Sequence, residues 1–565
     1  MYFTFTESEV LRLSRRRIRV KQSHFANVPT VNFRRSTFDR SNVYKTTFDS
    51  GKLIPFYVDE VIPGDTWNLK ATCFARLSTP AVPFMDNLYF YTMFFFVPMR
   101  LVWENTEKFF GEQEDPDDST DFLIPQLVIS SEDIFNKVCA RATLWDYFGL
   151  PTRKPSSFDN PMSVSVLYFR AYWKIWNDWI RDENLQDSVK INRSDENKIV
   201  KTEDDETVNG FSVFEPGPRG KRFDYFTGAL PRPQKGEPVS LPLVGDAPIV
   251  SNGSSIKLAV DSPTGTQGYL AGNVISDHPG WIVNFGSYND GEKHQLFAPS
   301  GGATGMKADL TSVTAATVND LRQAFQIQRF MEMNARGGTR YVEFLKSQFG
   351  VVSPDARLQR SEYLGGSSSM VNINPVTQTS STDSTTPQGN LAAIGVMGSR
   401  FHGFTKSFTE HGFIIGLCGV RADLSYQENI NRMWLHKSIY DFALPVFAHL
   451  GEQPIYNKEI FVSGTSKDDE AFGFQERYGE YRYKPSLITG KLRSSDAQTL
   501  DVWHLSQSFT TLPTLSNEFI QDKPPIKRVL AVQDEPEFIL DCMFNCKVTR
   551  CLPLYGVPGF IDHVF

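Results

Sequence analysis

The sequence predicts a mainly β fold, a β-sandwich or jelly roll with long loop insertions and several helices. Three observations support this: short apolar or alternating stretches recur between turns, long helical patterns are few, and the connections are long. A sheet made only of sequential hairpins would not need such long connections between its strands. The 565 residues would suggest three or four domains by length, but one β domain enlarged by insertions explains the pattern better.

Aromatic side chains make up 13% of the chain, with 45 Phe, 20 Tyr and 9 Trp. This bulk indicates large buried surfaces, inside the fold or between subunits. The longest apolar run is shorter than a membrane-spanning helix, and the start lacks the order of a signal peptide. Six cysteines are too few for a disulfide framework in a chain of this length. We therefore expect reduced thiols, a cytoplasmic setting and no membrane contact.

Positive charge is concentrated at the N-terminus. Residues 1–36 carry eight basic residues and two acidic ones, which gives this segment a net charge of +6. The whole chain has a net charge of −7, so the other residues together carry −13. We predict a basic N-terminal arm over residues 1–40 that contacts DNA or RNA, with Phe25 and Phe33 placed to stack on bases. Docking of the arm on an acidic neighbouring subunit is the alternative. The predicted nucleic-acid-binding residues are Arg12, Arg15, Arg16, Arg17, Arg19, Lys21, Arg34 and Arg35.

Residues 41–235 open with strands. Lys52–Val61 is a candidate strand, and Pro63–Asp65 predicts a turn because Pro presets φ and Gly accepts a positive φ. Thr66–Arg76 alternates polar and apolar residues in its second half, which is typical of a half-buried strand. Leu88–Val97 is so apolar that both of its faces must be covered.

Helical patterns follow these strands. Apolar residues recur at helical spacing after a candidate N-cap at Ser130, as far as Trp145, before Gly149 ends the pattern. Ser163–Arg181 predicts an aromatic-rich helix. Two further helices, each ended by glycine, are predicted at Val318–Arg336 and Thr339–Phe349.

Residues 236–310 differ in composition from the rest. They hold 12 Gly and 6 Pro in 75 positions, with seven acidic and three basic residues. Because structureless loops of this length are uncommon in compact domains, we predict a solvent-facing insertion with small strands at Ser255–Val260 and Trp281–Phe285. The Ser- and Thr-rich stretch Gly365–Gly389 is predicted to be flexible unless a neighbouring element holds it.

The last third returns to short strands. Residues 311–565 are therefore predicted to complete the β domain that residues 41–235 begin. The candidate strands are Gly412–Val420, Phe472–Tyr483, Asp501–Phe509 and Glu537–Val548.

Known chemical signatures are missing from the sequence. It contains no P-loop, dinucleotide-binding, nucleophile-elbow or zinc-protease motif, so we predict no catalytic residue, metal or cofactor. Residues 115–121 have the spacing of a calcium loop, but Thr120 and Gln126 replace the Gly and Glu it requires, which favours an acidic surface loop. Three cysteines near the end lack the spacing of a zinc site and are predicted to be buried thiols: Cys542, Cys546 and Cys551.

Four segments together resemble one family. Two are long and specific, including MDNLYFYTMFFFVPMRLVWENTEKFFGEQ, and two are short, DYFTGALPRPQKG and LYGVPGFIDH, in the expected order. They look like the major capsid protein of the microviruses, small single-stranded-DNA phages, and most closely the gokushovirus branch. The segments are Arg35–Lys70, Met85–Gln113, Asp224–Gly236 and Leu554–His563, so the resemblance spans essentially the whole chain.

The resemblance implies an eight-stranded antiparallel jelly roll of the viral capsid type. It implies a virion protein that forms a small T=1 icosahedral shell around a circular single-stranded DNA genome, assembled in the host cytoplasm. Residues 236–310 lie where the family carries a mushroom-like protrusion near the threefold axes, which is a candidate for host-receptor attachment. The implied companions are a small basic DNA-packaging protein and a DNA pilot protein.

Two other functions remain open from the residues alone. A carbohydrate-binding or carbohydrate-active jelly-roll protein would account for the aromatic content, but a glycosidase needs two carboxylates roughly 5–10 Å apart. Asp59 and Glu60 are strand neighbours on opposite faces and cannot converge. A soluble single-stranded nucleic-acid-binding protein would need an extended basic groove, which the acidic body argues against.

Overall fold

The computed structural model describes residues 34–237, 239, 249–251, 258–260, 268–270, 296–297, 306–308, 318–383 and 387–555. Its described part is mainly β, as the sequence predicts. The strands, in chain order, are β1 Ser36–Asp39, β2 Asn42–Phe48, β3 Ile54–Val61, β4 Thr66–Leu77, β5 Leu88–Pro98, β6 Gln126–Ile129, β7 Met162–Ser165, β8 Thr207–Val208, β9 Phe211–Ser212, β10 Ile249–Ser251, β11 Leu258–Val260, β12 Gly268–Leu270, β13 Leu296–Phe297, β14 Met306–Ala308, β15 Glu362–Thr377, β16 Leu391–Ser407, β17 Gly412–Ala422, β18 Glu452–Tyr456, β19 Ala471–Glu476 and β20 Phe538–Arg550.

The main sheet is antiparallel and contains strands from both ends of the chain. Its order is β1-β20-β4-β16-β15-β5-β17-β3, and β2 also pairs with β20. β1 and β2 pair with successive stretches of β20, Lys547–Arg550 and Phe538–Phe544 respectively. Counting β1 and β2 as separate strands, the main sheet has nine strands in the described residues. The predicted count of eight is therefore not confirmed.

The sheet curls on itself around an aromatic core. β15 pairs with β5 through Glu362–Val371 and then with β16 through Asn372–Thr377, so it joins the two halves of the strand order. Phe56 on β3 and Phe544 on β20 lie near opposite ends of that order, yet their ring centroids are 5.3 Å apart. Curling is what brings them together, and Trp67 and Phe94 are buried in the same core.

β5 is covered on both faces, as its apolar sequence predicts. One face joins the core inside the curled sheet through Phe90 and Phe94, and the other packs Tyr91 and Phe95 against a helical layer rich in tryptophan. Arg170 is fully buried in that layer. Its guanidinium donates hydrogen bonds to backbone carbonyls of residues 194–198 at 2.6–3.0 Å, which satisfies the buried charge with dipoles.

Eight α-helices occur in the described residues: α1 Thr106–Phe109, α2 Glu132–Val138, α3 Leu144–Tyr147, α4 Leu167–Ile175, α5 Val318–Arg336, α6 Tyr341–Phe349, α7 Asn517–Ile520 and α8 Ile526–Val529. A π-helical turn continues α4 over Trp176–Ile180. The 3-10 turns of the described part are Met99–Leu101, Asp204–Glu206, Arg432–Leu435, Ile439–Asp441, Pro445–Phe447, Asn457–Glu459, Ser466–Asp469, Gly479–Tyr481, Gly490–Leu492 and Asp501–Trp503. None of the described helices is long and apolar enough to span a bilayer.

The helix predicted after Ser130 is two short helices. The hydroxyl of Ser131, not Ser130, caps α2 by accepting a hydrogen bond from the Ile134 N–H. Ala142 then adopts a φ of 62°, which a helix does not allow. The Thr143 hydroxyl donates to the carbonyls of Val138 and Ala140 at 2.9 and 2.8 Å, so it satisfies the end of α2 before α3 begins.

Pairing across the sheet explains another difference from the sequence prediction. The first part of Gly365–Gly389 is not loop but lies in β15, because β5 supplies its hydrogen-bond partners. Phe472–Tyr483 is a strand only as far as Glu476, and Asp501–Phe509 contains a 3-10 turn where a strand was predicted. Leu258–Val260 forms the predicted small strand, whereas Trp281–Phe285 lies outside the described residues.

Backbone contacts divide the chain into two compact units, residues 234–334 and the remainder. Within the smaller unit, β10 pairs with β14, and β11 pairs with both β12 and β13, all antiparallel. The boundaries predicted at residues 236 and 310, and the exposed role of that segment, stay predictions.

Candidate functional site

The predicted basic arm is described only at its C-terminal end. Arg12, Arg15, Arg16, Arg17, Arg19 and Lys21 lie outside the described residues, and their role stays a prediction. Arg34 and Arg35 are exposed. The Arg35 guanidinium donates to the Gly64 carbonyl and, at 3.0 Å, to the Thr66 hydroxyl. Arg35 therefore fastens the end of the arm to the turn between β3 and β4.

A basic face that the sequence prediction missed lies on the outer side of β2, β20 and β4. In β4 the even-numbered side chains are turned away from the core, while their odd-numbered neighbours lie in it. β20 alternates with the opposite parity: its even-numbered side chains from Phe538 to Val548 are buried, and its odd-numbered side chains are turned outward. We call the outward basic side chains of these strands, together with Phe74, the basic face; they are Lys45, Lys70, Arg76 and Lys547.

Positive charge on the basic face is only partly neutralised. Lys45 makes an ion pair with Asp541, with 3.6 Å between Nζ and Oδ2. Among the described residues, no ion pair is found for Lys70, Arg76 or Lys547. Groups of this kind can neutralise phosphates without reading sequence.

Phe74 gives the basic face an exposed aromatic ring. Its side chain is 52% exposed, and in the paired register it lies between Asp541 of β20 and Gly398 of β16. A Cβ added to Gly398 would meet no atom within 4 Å, so one side of the ring is open. Arg76 is the next outward side chain along β4, and proteins that bind single-stranded nucleic acids use exposed rings near basic side chains to stack on bases. The alternation of β4 was visible in the sequence, but not which strands would extend its outer face.

A second surface is apolar. We call residues 432–450 the apolar platform, because they expose large hydrophobic side chains within a short segment. Each is more than half exposed, and Trp434 and Val446 reach 75% and 79%. Monomeric proteins rarely expose contiguous apolar patches beyond a few hundred Å². The members are Met433, Trp434, Ile439, Tyr440, Phe442, Val446 and Leu450.

Polar contacts hold the apolar platform in a defined conformation. Arg432 donates to the carboxylate of Glu459, whose side chain is 1% exposed, at 3.1 Å. The Leu444 N–H donates to the Tyr478 hydroxyl at 3.2 Å. The backbone N–H groups of residues 437 and 438 donate to the carboxylate of Asp441, which holds the pKa of that carboxyl below its usual value. An exposed apolar segment that is already ordered loses little entropy when a partner covers it.

The acidic residues and cysteines that the sequence analysis considered for catalysis or metal binding lie in ordinary structural settings. No group of three or more His, Cys, Asp or Glu that could hold a metal ion occurs in the described part of the chain. Asp59 makes an ion pair with Arg40 at 2.9 Å. Cys542 and Cys546 are buried free thiols, and burial raises the pKa of Cys546. The prediction is wrong for Cys551, which is exposed because β20 ends one residue before it.

Comparison with known proteins places the chain in a family. The family model described as Capsid protein (F protein) matches residues 26–560. The chain is 42% identical to capsid protein VP1 of Chlamydia phage 1, over 96% of this chain and 98% of that protein. It is 41% identical to capsid protein VP1 of Bdellovibrio phage phiMH2K, with the same coverage. Identity to capsid protein VP1 of Spiroplasma virus 4 is 37%, over 91% and 93% of the two chains.

The matches run through both parts of the main sheet and through the segment between them. They agree with the resemblance carried by the four sequence segments and with the curled antiparallel sheet described above. The chain therefore belongs to the phage capsid protein (F protein) family and is a structural major capsid protein of the microvirus type.

Proposed function

We propose that this capsid protein forms a small closed icosahedral shell around a circular single-stranded DNA genome. The observation that carries the proposal is the basic face with its exposed Phe74. It lies on the sheet to which β1, the strand that follows the basic arm, also belongs. The basic face and the strand that follows the charged part of the arm thus belong to one sheet, and we assign the outer side of that sheet to the interior of the shell.

The proposed contact with DNA combines two favourable contributions, neutralisation of phosphates and stacking on a base. Unpaired cations such as Lys70 and Arg76 would release counterions from phosphates, a contribution that weakens with salt. Phe74 would stack on a base, which is worth about 1–3 kcal/mol per base and tolerates any sequence. A structural protein that must hold any stretch of a genome needs this kind of sequence-independent contact.

The apolar platform is proposed to contact a neighbouring copy of the chain. Its seven large side chains present on the order of 800 Å², which matches what one partner contributes to a standard stable interface. Closed symmetry lets the same contact repeat in every subunit without open-ended growth. The aromatic content of 13% is in keeping with such contacts.

Host attachment is proposed for the acidic insertion at residues 236–310, and support comes from its composition and from the separate compact unit of residues 234–334. The small basic packaging protein, the DNA pilot protein and the host receptor stay predictions from the family resemblance.

Electron microscopy and nucleic-acid content test the proposal. Purified protein should form uniform icosahedral particles containing single-stranded DNA. The double variant Lys70→Gln/Arg76→Gln should still form particles but retain less DNA per subunit and release it at lower salt. Lys484→Gln is the control, since Lys484 is an exposed lysine outside the basic face. Monodisperse monomers with affinity for glycans, or unchanged DNA content in the double variant, would contradict it.

A further inference from the structure

We propose that a cavity beside the apolar platform binds a phosphate-bearing anion. The cavity has a volume of about 360 Å³, and its walls come from the platform and from the segment around β18 and β19. One ordered water needs only about 10–15 Å³, so the space suits a phosphate group and its substituent. No part of the capsid function described above uses this cavity.

The carboxylates that line the cavity are already engaged. Glu480 accepts a hydrogen bond from the Gln453 amide at 2.6 Å and lies 3.9 Å from the Arg432 Nε. Asp469 makes an ion pair with Lys458. Asp441 accepts the backbone N–H groups of residues 437 and 438. These contacts also occupy the cations of Arg432 and Lys458.

Three other cationic or protonatable side chains of the lining make no ion pair or side-chain hydrogen bond with a described residue. They are His436, Lys437 and Arg477. The Nε2 atom of His436 and the Nε atom of Arg477 are buried, and neither has a hydrogen-bond partner within the part of the chain that the structure describes. Buried donors are rarely left unsatisfied, which points to a ligand that accepts from both.

Aromatic neighbours hold two of these donors in place. The His436 ring lies with its centroid 4.9 Å from that of Phe442 and 6.4 Å from that of Tyr481. The Arg477 guanidinium carbon lies 4.9 Å from the centroid of the Tyr478 ring. Donors fixed in this way bind an anion at a lower entropic cost than mobile surface side chains.

A phosphate group fits these donors better than a carboxylate does. Its oxygens point in several directions, so an arginine fork, a lysine ammonium and an imidazole N–H can each contact a different one. The group can come from inorganic phosphate or a mononucleotide, or from the backbone of single-stranded DNA. The proposal does not depend on genome enclosure, because phosphate binding can be measured on the protein without a genome.

Calorimetric titration of purified full-length protein with inorganic phosphate tests the site. The double variant Lys437→Gln/Arg477→Gln should bind phosphate at least tenfold more weakly than the wild type. The control double variant Lys484→Gln/Arg153→Gln changes the same residue types at exposed positions outside the cavity. His436→Gln gives a second test if the first double variant unfolds at a lower temperature.

A single-stranded oligodeoxynucleotide separates the two sources of phosphate. If it displaces inorganic phosphate from the wild type, the natural ligand is the DNA backbone. If phosphate binds but the oligonucleotide does not compete, the ligand is a small phosphate ester or free phosphate. Failure of the wild type to bind phosphate, or equal binding by the wild type and both cavity variants, overturns the proposal.

Discussion

Replacing Trp434 by Ala should weaken assembly strongly without changing the fold of the subunit. The Trp434 side chain is 75% exposed; for a residue of roughly 250 Å² this leaves about 190 Å² for a partner to cover. At about 25 cal/mol per Å², full coverage corresponds to roughly 4–5 kcal/mol. Because coverage is incomplete and Ala keeps part of the contact, we expect a loss of about 3 kcal/mol per contact, within the range of interface hot spots.

A loss of this size corresponds to about a hundredfold increase in the protein concentration needed for assembly. Sedimentation or light scattering over a concentration series, at fixed salt, measures that threshold. Far-ultraviolet circular dichroism and the thermal midpoint should match the wild type, since Trp434 projects from a 3-10 turn into solvent.

Leu123→Ala provides the matched control. Leu123 is 82% exposed and follows the acidic loop of residues 112–121, away in sequence from the apolar platform. We expect it to shift the assembly threshold less than about threefold, as is usual for isolated surface residues. The assignment of the platform to a subunit contact would be refuted if Trp434→Ala assembled at the wild-type concentration, or if both variants shifted the threshold equally.

Three further predictions concern stability and packaging. Burial raises the pKa of Asp522 to about 7, so the folded chain takes up a proton there before the unfolded chain does. The free energy of unfolding should therefore rise as pH falls from 8 to 5, and Asp522→Asn should remove roughly 2–3 kcal/mol of that rise in denaturant titrations. Gly403→Ala should lower the thermal midpoint sharply because its Cβ would lie 1.8 Å from the Leu69 carbonyl oxygen, whereas Gly398→Ala, with open space, should melt like the wild type. Replacing Arg15, Arg16 and Arg17 of the arm by Ala should lower the DNA content of particles more than it lowers the yield of particles. Unchanged DNA content would contradict a DNA-binding role of the arm.

Local patterns predicted five of the nine strands of the main sheet, namely β3, β4, β5, β17 and β20. The alternation in Thr66–Arg76 and the apolar run Leu88–Val97 correspond to β4 and β5. Burial of one face requires alternating apolar residues, as in β4, and burial of both faces requires a continuous apolar run, as in β5. Glycine likewise marked the end of α6, where Gly350 adopts a φ of 68°.

Features that depend on distant partners could not be predicted in the same way. The Ser-rich start of Gly365–Gly389 became strand only because β5 lies beside it. The break at Ala142 depends on a threonine hydroxyl that satisfies the preceding helix. The basic face combines β2 and β4 with β20, which begins more than 450 residues later at Phe538. Charge counting along the sequence therefore predicted the arm but not the basic face.

The position of β20 has a consequence for how the protein is made. β20 is the last strand of the described residues, yet it lies between β4 and the two N-terminal strands, β1 and β2. During synthesis, β1 and β2 therefore stay unpaired until β20 has been made. Pairing between strands so far apart in the chain is slow. A chain cut short before Phe538 would lack the strand that joins β4 to β1 and β2, so neither of these N-terminal strands would have its pairing partner in the main sheet.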